Sequence, residues 1–344
     1  MELNEIVDLT LKLIAIPSNT RSEQKVIDFL RDFLGQFATE IELIEVTSER
    51  KNLFLSWGRP KIVFTTHIDT VPGSTAARVD AEKIYGRGAC DAKGIAATMI
   101  GVISQLLKSG QSDFGLLLVV GEEEDGIGAL RASRYLQGRG IEYIINGEPT
   151  ENKLMLATKG GLGGQVAFTG RAAHSGYPEL AVDANNEMLN FASSLAAQNF
   201  GQDNLLGPAT INFGLIAADN QPNVISDYAT LSFLVRTVSS NADVLAKIQT
   251  LCLDGAKLSI DYNVPAIKLM TLPGFDTAIA AYATDIPNFS ALEARAILYG
   301  PGSIQQAHTA NEWIEIGSIQ QAVTDYQRIF TLLVKQHSHT LHRH

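Results

Sequence analysis

Apolar residues fall along this chain in two kinds of run. From Ser22 to Phe37 they recur as Val26, Phe29, Leu30, Phe33 and Leu34, the spacing of one face of a helix. Residues 3–16 carry Ile6, Leu9, Leu11 and Leu13 and stop at Pro17, where a helix cannot continue. Between such helices stand short apolar runs at 41–46, 52–56, 61–66, 114–120 and 143–145. The continuous ones, Phe114 to Val120 above all, predict strands buried on both faces, as in a parallel sheet covered by helices. Helices are also expected over 94–109, with Gly110 as the C-cap, and over 128–138.

The pattern changes near Lys159-Gly160-Gly161. Residues 161–169, 209–216 and 226–236 alternate as strands with one buried face, and 256–262 reads as a last strand. Helical segments at 180–198 and 241–253 complete a βαββαβ order, which fits a small two-layer α+β domain. A closing helix is predicted over 315–336. The expected fold is therefore α/β: a mixed, mostly parallel sheet with helices on both faces over 1–158 and 267–344. An inserted α+β domain spans 159–266. A chain of 344 residues is long for a single core, which agrees with two domains.

Composition narrows the function. Hydrophobic residues at 45% and charged residues at 19% are the proportions of an ordinary soluble globular protein. A net charge of -10 argues against nucleic acid or an anionic membrane as partner. Two distant cysteines, Cys90 and Cys252, make no disulfide framework. The N-terminal stretch has neither the basic nor the apolar region of a secretory leader, and no apolar run approaches the ~18 residues of a membrane span. A cytoplasmic protein is expected.

The predicted strands end in polar residues. Ile62-Val63-Phe64 leads to His67 and Asp69, Phe114–Val120 leads to Gly121-Glu122-Glu123-Glu124-Asp125-Gly126, and Tyr143-Ile144-Ile145 leads to Glu148. A glycine-rich segment, G-R-G-A-C-D-A-K-G at 86–94, frames Asp91 before a helix. Acids and a histidine at the C-terminal edge of such a sheet suit a divalent metal. A single His-x-Asp pair is more often an internal hydrogen-bonded pair than a metal site, so the other ligands have to come from elsewhere in the chain. Of seven histidines, His337, His339, His342 and His344 crowd a polar tail, whereas His67, His174 and His308 each sit in glycine-rich, polar surroundings. No G-x-G-x-x-G follows the first strand and no P-loop is present, which disfavours a nucleotide-dependent enzyme.

With those residues assembled, nearly the whole chain resembles the M20 metallopeptidase family, the group that contains acetylornithine deacetylase and succinyl-diaminopimelate desuccinylase. The motifs are T-H-I-D-T-V-P (66–72), G-R-G-A-C-D-A-K-G (86–94), G-E-E-E-D (121–125), N-G-E-P-T (146–150), G-R-A-A-H-S-G-Y (170–177) and Y-G-P-G-S-I-Q-Q-A-H (299–308). The resemblance implies two divalent metal ions, zinc first with cobalt or manganese as alternatives. His67, Asp91 and Glu148 would hold one ion and Asp91, Glu123 and His308 the other. Asp69 would orient the His67 ring, and the Asp91-Ala92 peptide would be cis. Glu122 would be the general base. A register shifted by one, with Glu123 as base and Glu124 as ligand, stays open. His174 matches the family's oxyanion donor, supplied from a lid across a dimer. Arg236 resembles an arginine that pairs with a substrate carboxylate, though it also reads as a strand-end surface residue. Tyr177, Asn223, Gly302 and Ser303 match substrate-lining positions.

The implied activity is removal of an acyl group from an N-acyl amino acid, with N2-acetylornithine first and arginine or lysine biosynthesis as the setting. Succinyl-diaminopimelate, N-acetyllysine, N-acetylcitrulline and dipeptides remain alternatives. A non-catalytic relative that only binds metal is the reading from another class. It would be expected to have lost a ligand or the base, and this chain keeps both.

Overall fold

The computed structural model describes every residue except 36, 38, 39, 75, 253, 254 and 342–344, so His342 and His344 lie outside the described residues. Contacts divide the chain into two compact units. One comprises Met1–Leu156, Leu269–Ala278 and Thr284–His344, the other Ala157–Lys268 and Ile279–Ala283.

In chain order the first unit contributes α1 (Leu3–Ala15), α2 (Gln24–Leu34), β1 (Glu40–Glu45), β2 (Lys51–Trp57), β3 (Ile62–His67), α3 (Lys93–Lys108), β4 (Phe114–Val119), α4 (Ile127–Leu136) and β5 (Tyr143–Asn146). The second unit contributes β6 (Gly160–Thr169), α5 (Ala184–Ala196), β7 (Thr210–Ala217), β8 (Tyr228–Thr237), α6 (Asn241–Gln249) and β9 (Ala256–Val264). The chain then returns to the first unit with β10 (Arg295–Leu298) and α7 (Ile316–Leu341).

The first unit's main sheet has the order β1-β2-β4-β3-β5-β10. The four strands β4, β3, β5 and β10 run parallel, while β2 lies antiparallel to both β1 and β4. Successive side chains of a strand point to opposite faces, and here both faces are buried. Phe64, Leu116, Leu118 and Ile145 join a core with residues of α1, α2, α3 and α7. Val63, Leu117, Val119 and Ile144 join a second core with Ala129, Ala132 and Leu136 of α4. That double burial is why these strands read as unbroken apolar runs. At the centre, Phe330 of α7 stacks on Phe64 with ring centroids 6.3 Å apart and meets Phe114 edge-on at 5.6 Å.

The second unit has the βαββαβ order, with an antiparallel sheet β7-β8-β6-β9. Residues of α5 and α6 (Met188, Phe191, Leu195, Val244 and Ile248) pack with Leu162, Val166, Leu231 and Phe233 of the sheet. Asp183 caps α5, its side chain accepting from Asn185 N and Asn186 N. Strand β7 is an outer strand of this sheet, and its Leu215 and Ile216 are 59% and 55% exposed.

Sequence patterning missed β10 and a 3-10 segment at Ile286–Leu292, and placed the end of α7 too early. Strand β10 has only four residues, and the 3-10 segment opens on Ile286-Pro287 and runs for seven, so neither is long enough to leave a periodic signal. No helix among the described residues is long and apolar enough to cross a membrane.

Truncating Phe64, fully buried between Phe330 and Tyr326, removes the ring on which the α7 contact is built. Phe64→Ala is expected to cost about 3–5 kcal/mol, read as a lowered urea midpoint.

Candidate metal centre and active site

Three neighbouring parallel strands carry the site. In the ladder His67 stands opposite Val119 of β4, and Thr65 stands opposite Asn146 of β5. Parallel strands in register end on the same side of the sheet, so the residues just beyond them are neighbours. His67 closes β3, Glu122 and Glu123 follow β4, and Glu148 follows β5. Asp91 enters from the loop before α3, and His308 from the segment after β10. His308 adopts a left-handed backbone with φ +61°, uncommon for a residue with a side chain.

Asp91 lies at the centre of the cluster. Its Oδ1 is 2.8 Å from His67 Nε2, and its Oδ2 is 3.4 Å from His308 Nε2. His67 Nε2 is also 4.0 Å from Glu148 Oε2, and His308 Nε2 is 2.9 Å from Glu123 Oε2. The carboxylate thus faces one imidazole with each oxygen, with a further acid beside each ring. One donor atom from each of His67, Asp91 and Glu123 falls within 4.8 Å of the others. The peptide Asp91-Ala92 is cis.

Asp69 does something the spacing alone did not reveal. His67 Nδ1 lies 3.0 Å from the Asp69 backbone oxygen and 3.6 Å from its carboxylate. The carboxylate accepts instead from Glu122 N and Glu123 N, both at 3.2 Å, and from Thr20 Oγ1 at 2.8 Å. Asp69 therefore steadies the ring mainly through its backbone and fixes the glutamate turn with its side chain. Glu124 points elsewhere, pairing with Arg21 at 2.7 Å on the surface.

The electrostatics are those of crowded acids in a low-dielectric site. Burial, and next the neighbouring Glu148, push Glu122 well above the usual carboxyl range. Burial does the same to Glu148, with Asp91 adding to it. Burial resists a charge on His67 and on Asp91. The nearby carboxylates of Asp69 and Asp91 outweigh it for the ring, and hydrogen bonds to His308 and His67 outweigh it for the Asp91 carboxylate. Hydrogen bonds to Asp91 and then Glu123 raise His308 to about 10. So many carboxylates around two imidazoles fit a divalent cation in donor type and in charge, since buried acids need a positive partner.

The structure collects His67, Asp69, Asp91, Glu122, Glu123, Glu148 and His308 in this one place. Gly302 and Ser303 lie in the same unit but contact other residues. Gly302 N donates to Ser318 Oγ at 2.8 Å, and Ser303 Oγ donates to Glu151 Oε1 at 2.9 Å. In the second unit, His174 pairs with Val224 across a short ladder, Ser175 N donates to Asn223 O, and the His174 and Tyr177 rings lie 6.1 Å apart. Tyr177 is 60% exposed. Arg236 is half-buried on β8, opposite Thr210 and Gly161. Sequence reasoning missed Asp285. This acid is buried, accepts from Asn288 Nδ2 at 3.1 Å, leaves Oδ2 without a hydrogen bond, and adds to the field on Glu122 and Glu148. It lies beyond a strand of only four residues, Thr277–Ala280, too short to leave a periodic signal, and in no motif that would have marked it.

Comparison with known proteins agrees with this architecture. Residues 156–257 match the family model of a peptidase dimerisation domain. A peptidase M20 domain-containing protein of Schizosaccharomyces pombe is 34% identical, over 95% of this chain and 84% of its own. A probable carboxypeptidase of Aspergillus clavatus is 32% identical, over 92% and 85%. A tripeptidase of Staphylococcus aureus shares the fold with a TM-score of 0.83 at 18% identity, covering 97% of this chain and 99% of that one. The chain belongs to the M20 peptidase family, whose members are hydrolases of amide bonds.

Burial raises the Asp285 carboxyl to about 7. A raised acid binds its proton more tightly in the folded state, so its contribution to stability is full at low pH and is lost as pH rises from ~4 through 7. In metal-free protein, Asp285→Asn is expected to melt progressively higher than the wild type as pH rises across that window. Melting curves from pH 4 to 8 read the difference, and a gap independent of pH would contradict it.

Proposed function

We propose that this protein is a binuclear metal-dependent hydrolase. It would cleave the amide bond of a short peptide or an N-acyl amino acid that carries a free carboxylate. The observation that carries this reading is Asp91, which turns one oxygen to His67 and the other to His308, as a carboxylate shared by two cations would. His67, Asp91 and Glu148 would hold one ion and Asp91, Glu123 and His308 the other, with zinc as the first candidate and cobalt or manganese as substitutes. When bound, the ions supply Lewis acidity and make a coordinated water acidic.

The chain's own residues do the rest. Glu122 takes a proton from the attacking water and returns it to the departing amine nitrogen, a role its raised proton affinity suits. Two observations support Glu122 and Glu123 over the register shifted by one. Asp69 holds both of their backbone N–H groups, and Glu124 is turned to Arg21. His174 is the candidate oxyanion donor, with Tyr177, Asn223, Gly302 and Ser303 as candidate substrate contacts. Arg236 is the candidate partner of the substrate carboxylate, since a guanidinium binds carboxylates bidentately.

The carboxypeptidase and tripeptidase descriptions of the relatives favour a short peptide as substrate. A second reading, deacetylation of N2-acetylornithine, rests on the G-P-G-S-I-Q-Q-A-H segment at 300–308. A homodimer through the second unit is supported by the dimerisation-domain match and by the exposed apolar residues of edge strand β7.

Metal-stripped protein should be inactive, and zinc or cobalt should restore turnover of dipeptides, tripeptides or acetylated amino acids in a substrate panel. Glu122→Ala should lose about 10²–10⁴-fold in kcat while binding the same amount of metal. If Glu122→Ala stays active and Glu123→Ala does not, the base is assigned one residue too early. Ile216→Glu should convert a dimer to monomers in sedimentation; a monomeric wild type would refute the dimer.

A further inference from the structure

The loop that presents Asp91 is held by a carboxylate without a role in the reaction described so far. Glu312 is only 2% exposed. Its Oε1 accepts from Cys90 N at 2.9 Å and Asp91 N at 3.0 Å. Its Oε2 accepts from Gly88 N at 3.1 Å and from Arg87 Nη1 at 2.5 Å. Three backbone donors of one short loop thus converge on a single side chain, an anion-binding concavity filled from within the protein. The turn needs φ +86° at Gly88, a conformation that glycine adopts without steric cost.

The same carboxylate reaches the other side of the cluster through the chain. Glu312 lies four residues beyond His308. Arg87 Nη2 donates to Thr309 O at 3.1 Å, and Gly86 N donates to Glu312 O at 3.0 Å. The Asp91 loop and the His308 segment are therefore fastened together by one buried ion pair and its backbone bonds. Neither Glu312 nor Arg87 is among the residues facing the two imidazoles.

We infer that Glu312, backed by Arg87, is a positioning residue for metal binding: it aims Asp91 and sets its spacing from His308. The inference rests on the reading of Asp91 and His308 as metal ligands. Glutamine cannot replace Glu312, although it has the same shape. Its amide offers one acceptor oxygen, and its NH2 group would face donors that already need an acceptor. The backbone N–H of Asp91 or of Gly88 would lose its partner, and the loop would relax.

The test is cobalt binding to metal-stripped protein, followed by titration calorimetry and by visible absorption of the bound ion. Glu312→Gln is expected to bind cobalt about 10–100-fold more weakly and to change its absorption, while the circular dichroism of the metal-free protein is retained. If Glu312→Gln does not fold, Arg87→Met serves. It keeps the carboxylate and the three backbone bonds, and should weaken cobalt binding by a smaller factor in the same direction. A purely structural anchor would lower the melting temperature and leave affinity and absorption unchanged, and that result in a folded variant overturns the positioning role. Asp91→Ala separates the two claims. If it abolishes binding while Glu312→Gln leaves binding intact, the metal reading stands and the positioning role falls. A wild-type protein that binds no cobalt sinks both.

Discussion

Mutual repulsion among acids is the constraint on which this structure depends. Asp91, Glu122, Glu123 and Glu148 share a pocket with two imidazoles, and Asp285 adds to the field from one side. Two rings cannot neutralise that many carboxylates, and burial with the neighbouring acids raises Glu122 and Glu148, so the cluster calls for further positive charge. A site of this kind persists only where the scaffold is stiff. Here it stands on the ends of parallel strands whose two faces are both packed, with Phe64, Phe114 and Phe330 locked at the centre. Stability comes from the sheet and its helices, and the cluster draws on it.

Rigidity near the cluster is distributed unevenly. Asp69 gathers the amides of the glutamate turn, and Arg50 closes on Glu23 in a buried ion pair at 2.7 Å nearby. Thr66 Oγ1 donates to Gly147 O, tying β3 to the segment that carries Glu148. The ties of Asp69 and Thr66 run from the end of β3 to the segments that follow β4 and β5. The acids consequently sit on short tethers and have little freedom to move apart as their repulsion demands.

Much of this was legible in the sequence. The unbroken apolar runs marked doubly buried strands, and the acids beyond them marked the edge at which chemistry collects. The alternating runs after Lys159 marked an antiparallel sheet with one covered face. What stayed hidden was set by contacts between distant residues. Strand β10 is too short for a period to emerge, and its strand identity comes from pairing with β5. Asp285 is buried because Gly126 and Asn288 close over it, a fact that no local pattern carries. The spacing of His67 and Asp69 brought them together, but only coordinates could show that the backbone oxygen meets the ring while the carboxylate meets the glutamates.

The path of the chain has a further consequence for how the protein is made. The first unit is interrupted after Leu156, and β10, His308, Glu312 and α7 lie beyond the insertion. A ribosome delivering the chain from its N-terminus releases β3, β4 and β5 well before Phe330, the ring that covers Phe64. Until then the acids at the strand ends lack His308, and an apolar face of the central strands stands without its last helix. Such exposed surface is what invites aggregation during synthesis. Folding of the first unit can finish only once α7 has emerged, so its assembly waits on residues that lie beyond the insertion.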